Sequence, residues 1–346
     1  MDGFFFAYLC LMLNSISYSF IIPVFNRPEE VKELLESFLK LDFKVAYEIV
    51  IIEDGSSNTC KDIISGFEEK LSISYYFKEN SGPGDSRNFG MQKAKGNYFI
   101  ILDSDCILPS HYLTTVDAFL KKNFYNCFGG ADSANTDFSL VQKAINYAMT
   151  SFYTTGGIRG SEKSIKKFEP RSFNMGISKK VFLKTKGFSK IHPGEDPDLS
   201  QRILKENYQT VFIPNAFVYH KRRLSWKKFY QQVYKFGLVR PILNDWHPSA
   251  ASITFWFPTL FIFFIIASLF FGILFNFLFL VPLIAYLSMV LLDASTKNKS
   301  ISIGLLSIIA VFIQFIGYGS AFLKSTIYIR FLKRDPKKQF PKLFFK

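Results

Sequence analysis

Two acidic residues, Asp103 and Asp105, directly follow a short apolar run at Tyr98–Leu102. The run has the length of one buried strand and is too short for a typical helix. Side chains alternate along a strand, so Asp103 and Asp105 lie on the same side of its carboxyl end, where open α/β sheets bind their ligands. Two neighbouring carboxylates suit Mg²⁺ or Mn²⁺, which prefer oxygen ligands and often bind a substrate phosphate as well. A polar turn is the alternative, because Asp and Ser are common turn residues.

A second acidic group, formed by Glu195, Asp196 and Asp198, lies in the segment 192–199 together with two prolines and a glycine. A carboxylate here could act as a general base if it came within hydrogen-bond reach of an acceptor hydroxyl. Alternatively, the acids occupy the start of a helix predicted at Leu199–Glu206, where negative charge is favourable. The glycine and the prolines favour a constrained, functional turn.

The elements around these residues alternate between strands and helices joined by short turns. Strands are predicted at Tyr18–Val24, Tyr47–Ile52, Ile73–Phe77 and Tyr98–Leu102, and helices at Glu29–Leu41, Asn58–Leu71 and Asp85–Ala94. Further on, a helix at Ser139–Phe152 and strands at Phe173–Ile177, Val211–Pro214 and Ala216–Tyr219 are predicted. This order indicates an α/β fold with a mainly parallel, doubly wound sheet. Each acidic or glycine-rich turn then falls at the carboxyl end of a strand.

Six segments in this order resemble a family 2 glycosyltransferase of the GT-A fold: IIPVFNR, IIEDGSS, NSGPGDSRNFG, ILDSDC, NMGISKKVF and GEDPDLSQRI. The resemblance covers roughly residues 19–224. It implies a doubly wound mixed sheet and an inverting transferase that uses a nucleotide-diphosphate sugar with Mg²⁺ or Mn²⁺. The family typically has two adjacent acids before the Gly-Ser turn, and the first of them is Glu53 here, which leaves Asp54 as the better nucleotide contact.

The resemblance also implies roles for individual residues. Metal ligands are expected at Asp105, Asp103 and His220. Contacts to the sugar donor are expected at Phe25, Asn26, Glu53, Asp54, Arg87 and Asp103. Asp196 is expected to be the catalytic base and Glu195 to orient the acceptor. Arg159, in a basic loop, is a candidate for gripping an acceptor phosphate. Each has a structural alternative: an ion pair for Arg87, turn capping for Asp54, a structural histidine, and a solvated loop charge at Arg159. The Gln-x-x-Arg-Trp motif of processive synthases is absent, which favours transfer of a single sugar.

The composition indicates a membrane protein. Nearly half of the residues are hydrophobic, Phe occurs 41 times, and the formal net charge is +14. Basic clusters at Lys221–Arg240 and Lys324–Lys346 flank a long apolar region, which favours contact with a membrane surface over nucleic acid. The four cysteines have no metal-site spacing and are expected to be reduced thiols on the cytoplasmic side.

The apolar region Ile253–Leu292 has no charge and is long enough for two spans with a turn at Asn276. A polar loop is predicted at Asp293–Ser302 and a third span at Ile303–Leu323. With the catalytic domain in the cytoplasm, where nucleotide sugars are found, three spans would place the basic tail outside, against the positive-inside tendency. Either the last segment is re-entrant or interfacial, or the chain departs from that tendency.

Together these patterns divide the chain into an apolar amino-terminal extension (1–17), a catalytic domain (18–224), a basic amphipathic interface helix (225–250), a transmembrane region (253–323) and a basic tail (324–346). We expect a multi-pass protein of the inner cell membrane that transfers a hexose to a glycan or lipid-linked acceptor. Its partners would be a nucleotide sugar, the acceptor and membrane lipids, and no nucleic acid. A polyprenyl-phosphate sugar synthase and a non-enzymatic sugar-nucleotide-binding membrane protein are the alternatives.

Overall fold

The computed structural model describes residues 16–133, 138–155, 168–220 and 225–345, with the side chains of residues 132, 133 and 220 left out. Residues 1–15 of the predicted amino-terminal extension and Arg159 therefore lie outside the described residues. One mixed sheet of eight strands organises residues 16–220, which we call the sheet domain. Its strands are β1 (Tyr18–Val24), β2 (Glu48–Asp54), β3 (Ile73–Lys78), β4 (Tyr98–Leu102), β5 (Cys106–Ile107), β6 (Cys127–Ser133), β7 (Asn174–Ser178) and β8 (Thr210–His220).

The order of the strands in the sheet is β3-β2-β1-β4-β7-β6-β8-β5. The strands β1 to β4 are mutually parallel, whereas β7 is antiparallel to both β4 and β6, and β5 is antiparallel to β8. The sheet is thus mixed, with the parallel half that the alternating pattern predicts. Both faces of β1 are buried, because Phe20 and Ile22 pack on one side and Ile21 on the other, as expected for a parallel strand covered by helices on both faces.

Thirteen helices of the α type accompany the sheet within the described ranges. They are α1 (Pro28–Phe38), α2 (Lys61–Ser65), α3 (Pro83–Lys93), α4 (Tyr112–Lys122), α5 (Leu140–Thr150), α6 (Phe152–Thr155), α7 (Lys179–Thr185), α8 (Glu195–Lys205), α9 (Trp226–Trp246), α10 (Phe257–Leu274), α11 (Val281–Asn298), α12 (Ile301–Thr326) and α13 (Pro336–Gln339). The helix predicted at Asn58–Leu71 is reduced to α2. The buried Glu53 carboxylate accepts a hydrogen bond from the Cys60 backbone and holds the residues before α2 in a turn.

The helix α9 lies within the predicted interface helix at 225–250, and it packs along α12 rather than standing alone. Small residues bring the two helices together: a Cβ on Gly237 would lie 2.9 Å from the Ala321 Cβ, and a Cβ on Gly317 would lie 2.8 Å from Val233 Cγ2. The Ser325 hydroxyl donates to the Leu238 carbonyl at 2.7 Å. The two helices run side by side in the same direction.

Three helical segments are long and apolar enough to cross a membrane, at Ile253–Leu274, Phe277–Asn298 and Ile301–Phe331. The first two form a hairpin of exposed apolar side chains, with Asn276 at its tip capping the following turn. The polar loop predicted from Asp293 is wrong at its start, because Asp293 lies inside α11. There its carboxylate accepts hydrogen bonds from the Tyr147 hydroxyl (2.7 Å) and Lys297 Nζ (2.9 Å), so the helix continues through it.

The helix α12 and the chain that follows it both contact the sheet domain. Within the helix, at its tenth and eleventh residues, Ala310 and Val311 share a hydrophobic cluster with Ile145 and Ala148 of α5. Beyond the end of the helix, the chain turns back and the segment around Phe344 pairs with Ile191 in an antiparallel β-bridge. The basic tail therefore contacts the same domain as Ala310 and Val311.

Candidate active site

The candidate site lies at the carboxyl ends of the parallel strands β1, β2 and β4, which are neighbours in the sheet. Because all three strands point the same way, the turns after Val24, Asp54 and Leu102 meet at one edge. The first turn of α8 brings Glu195 and Asp196 to this edge from another part of the chain. The site is thus assembled from segments far apart in the sequence.

The two aspartates after β4 are each paired with an arginine. Asp103 Oδ1 lies 2.9 Å from Arg87 Nη2, and Asp105 Oδ2 forms an ion pair with Arg27 Nη1. The strand β5 begins at the next residue, Cys106, and its register places the backbone of His220 directly opposite. Repulsion between the two carboxylates is therefore relieved by two guanidinium groups, one of which, Arg27, is nearly half exposed.

Arg87 is the centre of the site. It is buried, and it bridges the two acidic groups because its Nη1 atom also lies 3.2 Å from Glu195 Oε1. Its guanidinium stands over the Phe188 ring at 5.3 Å from the centroid. Burial disfavours the charged form, but attraction by Asp103, Asp196 and Glu195 raises the Arg87 pKa overall. In this structure Arg87 therefore forms ion pairs, as the structural alternative proposed. Its contact with the sugar donor stays a prediction.

We expect Arg87→Ala to lower the free energy of unfolding by about 3–5 kcal/mol, because it leaves buried carboxylates without their cation. Chemical denaturation followed by circular dichroism measures this. Arg27→Ala is the matched control, since its pair with Asp105 is more exposed and is worth at most about 1 kcal/mol. Equal losses in the two variants would contradict a central role for Arg87 in the buried network.

The first two carboxylates of α8, those of Glu195 and Asp196, have pKa values shifted in opposite directions. Glu195 Oε1 lies 2.9 Å from His192 Nδ1 in addition to its contact with Arg87. Burial opposes ionisation of Glu195, but the hydrogen bond and charge of His192 and the charge of Arg87 lower its pKa to about 2. Glu195 is therefore a permanent anion that is held in place on two sides.

Asp196 has the opposite character. Its Oδ2 atom accepts a hydrogen bond from the Ser172 backbone at 3.2 Å, and its Oδ1 atom is buried with no partner among the residues that the structure describes. Burial and the neighbouring charge of Glu195 raise its pKa to about 6, against the attraction of Arg87 and Arg171. A carboxylate with one unused oxygen and a raised pKa suits proton abstraction.

The third acid of the group, Asp198, is structural. It lies 2.8 and 3.0 Å from Nη2 and Nε of Arg202, and 2.8 Å from Nε2 of the buried His247 at the end of α9. The ion pair and the hydrogen bonds outweigh burial and lower its pKa. The helix begins at Glu195 rather than at the predicted Leu199, so all three acids lie in its first turn. Through His247, Asp198 ties α8 to the end of α9.

The acidic pair after β2 supports the neighbouring turns. Asp54 accepts hydrogen bonds from the backbones of Ser81 and Gly82, both at 3.0 Å, and pairs with Lys78 Nζ at 2.6 Å. Glu53 is fully buried and bonds to Ser56, Cys60 and Tyr75. The turn-capping alternative for Asp54 describes these contacts, and the donor roles of both acids stay predictions.

The turn after β1 contains the remaining predicted donor contacts. The Asn26 side-chain oxygen accepts hydrogen bonds from the Asn58 backbone (2.9 Å) and the Ser57 hydroxyl (3.1 Å), which joins this turn to the one after β2. Phe25 is about half exposed and is open to a ligand.

Several residues of the site were not singled out from the sequence, namely Arg27, His192, Arg171 and Asn80. Arg27 and Asn80 had a signal, since Arg27 ends the first and Asn80 begins the third of the six resembling segments, whereas the other two lie outside those segments. Only the backbone of His220 is described, and Arg159 lies outside the described residues.

The donor set at Asp103 and Asp105 fits a divalent cation that is shared with a ligand. Within the described ranges, no three acidic, histidine or cysteine side chains lie close enough to enclose a metal on their own. Mg²⁺ is commonly held by one or two carboxylates and completed by substrate phosphates and water, and Mn²⁺ accepts the same oxygen ligands. The two aspartates and a diphosphate meet that description once the Arg27 side chain moves away from Asp105.

Comparison with known proteins agrees with this fold. A family model described as glycosyl transferase family 2 matches residues 19–185. An uncharacterized glycosyltransferase of Rickettsia bellii is 32% identical over 112 residues, which is 32% of this chain and 16% of that protein. A GalNAc(5)-diNAcBac-PP-undecaprenol beta-1,3-glucosyltransferase of Campylobacter jejuni is 28% identical over 205 residues, 58% of this chain and 62% of that protein. The chain spans less than a fifth of the length of the first curated relatives it matches.

Among solved structures, a mannosyltransferase of Pyrobaculum calidifontis in complex with GDP-Man and Mn²⁺ matches 96% of this chain and 95% of its own. The TM-score is 0.56 and the identity 14%. The likeness concerns the fold, and it confirms the GT-A prediction.

Proposed function

We propose, from the match of residues 19–185 to the model of glycosyl transferase family 2, that the protein transfers a hexose from a nucleotide-diphosphate sugar to a glycan or lipid-linked acceptor at a membrane. Transfer proceeds with inversion at the sugar carbon, in a single displacement. The observation that carries the proposal is the unpaired, buried Oδ1 atom of Asp196 beside the Arg87 network.

Asp196 acts as the general base. Its free oxygen takes the proton of the acceptor hydroxyl while that hydroxyl attacks the sugar carbon and the bond to the diphosphate breaks. Glu195 stays ionised and orients the acceptor. Arg87 links this half of the site to Asp103, so that the base and the diphosphate end keep a fixed separation.

The diphosphate end is formed by Asp103 and Asp105, with His220 as a further proposed ligand. A divalent cation held there would neutralise the negative charge that grows on the departing nucleoside diphosphate. Phe25 and Asn26 form the wall of the nucleotide pocket, and Asp54 binds the base or the ribose at the end of its turn. Arg159 is proposed to contact an acceptor phosphate.

A membrane location is supported by the exposed apolar hairpin of α10 and α11, whose outer side chains include Phe263, Phe270 and Ile273. The printed name of the Campylobacter relative describes an undecaprenol-linked substrate, and we propose an acceptor of the same lipid-linked class for this chain. The sheet domain then faces the cytoplasm, where nucleotide sugars are found.

The test is a transfer assay with the full chain in lipid nanodiscs. The donors are UDP- and GDP-linked hexoses with Mn²⁺, and the acceptors are a polyprenyl phosphate, a polyprenyl-diphosphate-linked sugar and a soluble oligosaccharide. We expect an acid-stable glycoside with inverted configuration. An acid-labile sugar phosphate would identify a polyprenyl-phosphate sugar synthase instead, and nucleotide-sugar binding without transfer or hydrolysis would identify a binding protein.

The activity is expected to fall as the pH drops below about 6. Asp196 must be ionised to accept a proton, and burial together with the charge of Glu195 raises its pKa to about 6, while Arg87 and Arg171 face it and pull in the other direction. Because the base is lost on protonation, kcat/KM should decline tenfold per pH unit on the acid side. A profile that is flat from pH 5 to 8 would contradict the assignment of Asp196.

A further inference from the structure

The segment Leu343–Phe345 lies against the acidic turn of the site. The Leu343 carbonyl accepts a hydrogen bond from the His192 backbone at 2.8 Å, and the Phe345 backbone donates to the Lys190 carbonyl at 3.0 Å. These bonds surround the β-bridge between Ile191 and Phe344. The segment thus pairs with residues 190–192, which directly precede the turn that carries Glu195 and Asp196.

The ring of Phe345 contacts two loops of the site at once. Its centroid lies 5.9 Å from that of the His192 ring, and its carbons fill the space where a side chain on Gly82 would stand. Gly82 precedes α3, the helix that carries Arg87, and it has a φ angle of 93° that L-residues rarely adopt. The absence of a side chain at Gly82 therefore lets the ring pack directly on the backbone there.

The contact with His192 leads to the reacting groups in two steps. His192 Nδ1 lies 2.9 Å from Glu195 Oε1, and the same oxygen lies 3.2 Å from Arg87 Nη1. The His192 side chain is otherwise about two-fifths exposed, so the Phe345 ring covers part of a residue that would be free to turn into solvent. Loss of the ring would loosen His192, and with it the hold on Glu195.

On the basis of the proposed function, we propose that Phe345 is a positioning residue for glycosyl transfer, whose ring clamps His192 and Gly82 so that Glu195 and Asp196 stay aligned with Arg87. The core of the segment supports this, because Leu343 is buried in a cluster with Ile242 and Ile329 and fixes the backbone from which Phe345 projects. Small displacements of aligned groups reduce rates strongly, by up to about 10²-fold for about 1 Å.

The proposal is tested with Phe345→Ala in the full chain. We expect kcat to fall by about tenfold or more, with a smaller change in the KM for the donor, and Phe345→Tyr to restore most of the loss because it keeps the ring. Phe331→Ala is the matched control, since Phe331 belongs to the same part of the chain but is 75% exposed. A kcat that is unchanged in Phe345→Ala, or one that rises because the ring obstructs the site, would overturn the proposal.

Hydrogen–deuterium exchange gives a readout that does not depend on turnover. Peptides covering residues 188–196 should exchange faster in Phe345→Ala than in the wild type, whereas peptides of β4 should not change. Equal exchange in both proteins would overturn the clamp. If the wild-type chain transferred no sugar while the exchange difference persisted, the proposed transfer would fail and the clamp would stand.

Discussion

Asp196→Asn is expected to lower kcat by about 10²-fold or more, the usual worth of general base catalysis. The amide has nearly the same size as the carboxylate, and its oxygen can still accept the hydrogen bond from the Ser172 backbone. It cannot take the acceptor's proton. The binding of the nucleotide should change little, because Asp54, Asp103 and Asp105 lie at the ends of strands, whereas Asp196 belongs to the first turn of α8. Steady-state transfer kinetics, with UDP and GDP binding measured by calorimetry, separate the two effects.

Asp62→Asn is the matched control, since Asp62 also lies in the first turn of a helix but is exposed. It should leave kcat unchanged. If Asp196→Asn instead weakened nucleotide binding strongly and kept the rate at saturating donor, Asp196 would belong to the donor pocket and the base would have to be sought elsewhere.

Asp105→Ala is expected to abolish the stimulation of transfer by Mn²⁺ or Mg²⁺ and to reduce activity by about 10²-fold or more, comparable to the loss of one group that stabilises charge in a transition state. The fold should be preserved, because the pair between Asp105 and Arg27 is partly exposed and contributes little to stability. Calorimetry with Mn²⁺ and a nucleoside diphosphate should show weaker joint binding.

Asp62→Ala is the matched control, because it shows whether the loss of an exposed aspartate lowers transfer activity in general. Full activity of Asp105→Ala in the presence of a chelator would refute the metal assignment. Loss of folded protein, seen by circular dichroism, would show that the ion pair with Arg27 has a larger structural role than its exposure indicates.

The parallel half of the sheet could be predicted from the sequence because the signals are local. The strands at Tyr18–Val24 and Tyr98–Leu102 have the predicted bounds, since each is an apolar run that ends abruptly in polar residues. The convergence of Asp54 with Asp103 and Asp105 at one edge follows from the direction of parallel strands alone.

The contacts of the site depend on distant segments and leave no local pattern. Nothing in the sequence pairs Asp198 with His247, which lies 49 positions away, or joins Ile191 to Phe344. The bonds from Asp54 to the Ser81 and Gly82 backbones also require the folded loop. The predicted helix from Asn58 failed for a related reason, because a buried carboxylate at Glu53 outweighs the helical spacing that follows it.

The position of α12 has a consequence for how the chain is inserted into a bilayer. At 1.5 Å per residue, its 26 residues would extend about 39 Å, more than the hydrocarbon core of about 30 Å. A crossing helix would therefore have its ends on opposite sides, whereas α12 contacts the sheet domain at Ala310 and Val311, and the chain that follows it returns to that domain at Phe344. Of the three apolar segments, the hairpin of α10 and α11 is the least buried and is therefore the part best suited to enter the bilayer.

Insertion of this hairpin alone would carry little polar material across the membrane. The connection at 275–280 has Asn276 as its one polar side chain, whereas the tail at 324–346 has eight Lys and Arg. Each such charge costs about 2.5–3.5 kcal/mol at the centre of a membrane. Because the bridge between Phe344 and Ile191 holds the tail against the sheet domain, these charges would stay on the same side of the membrane as that domain.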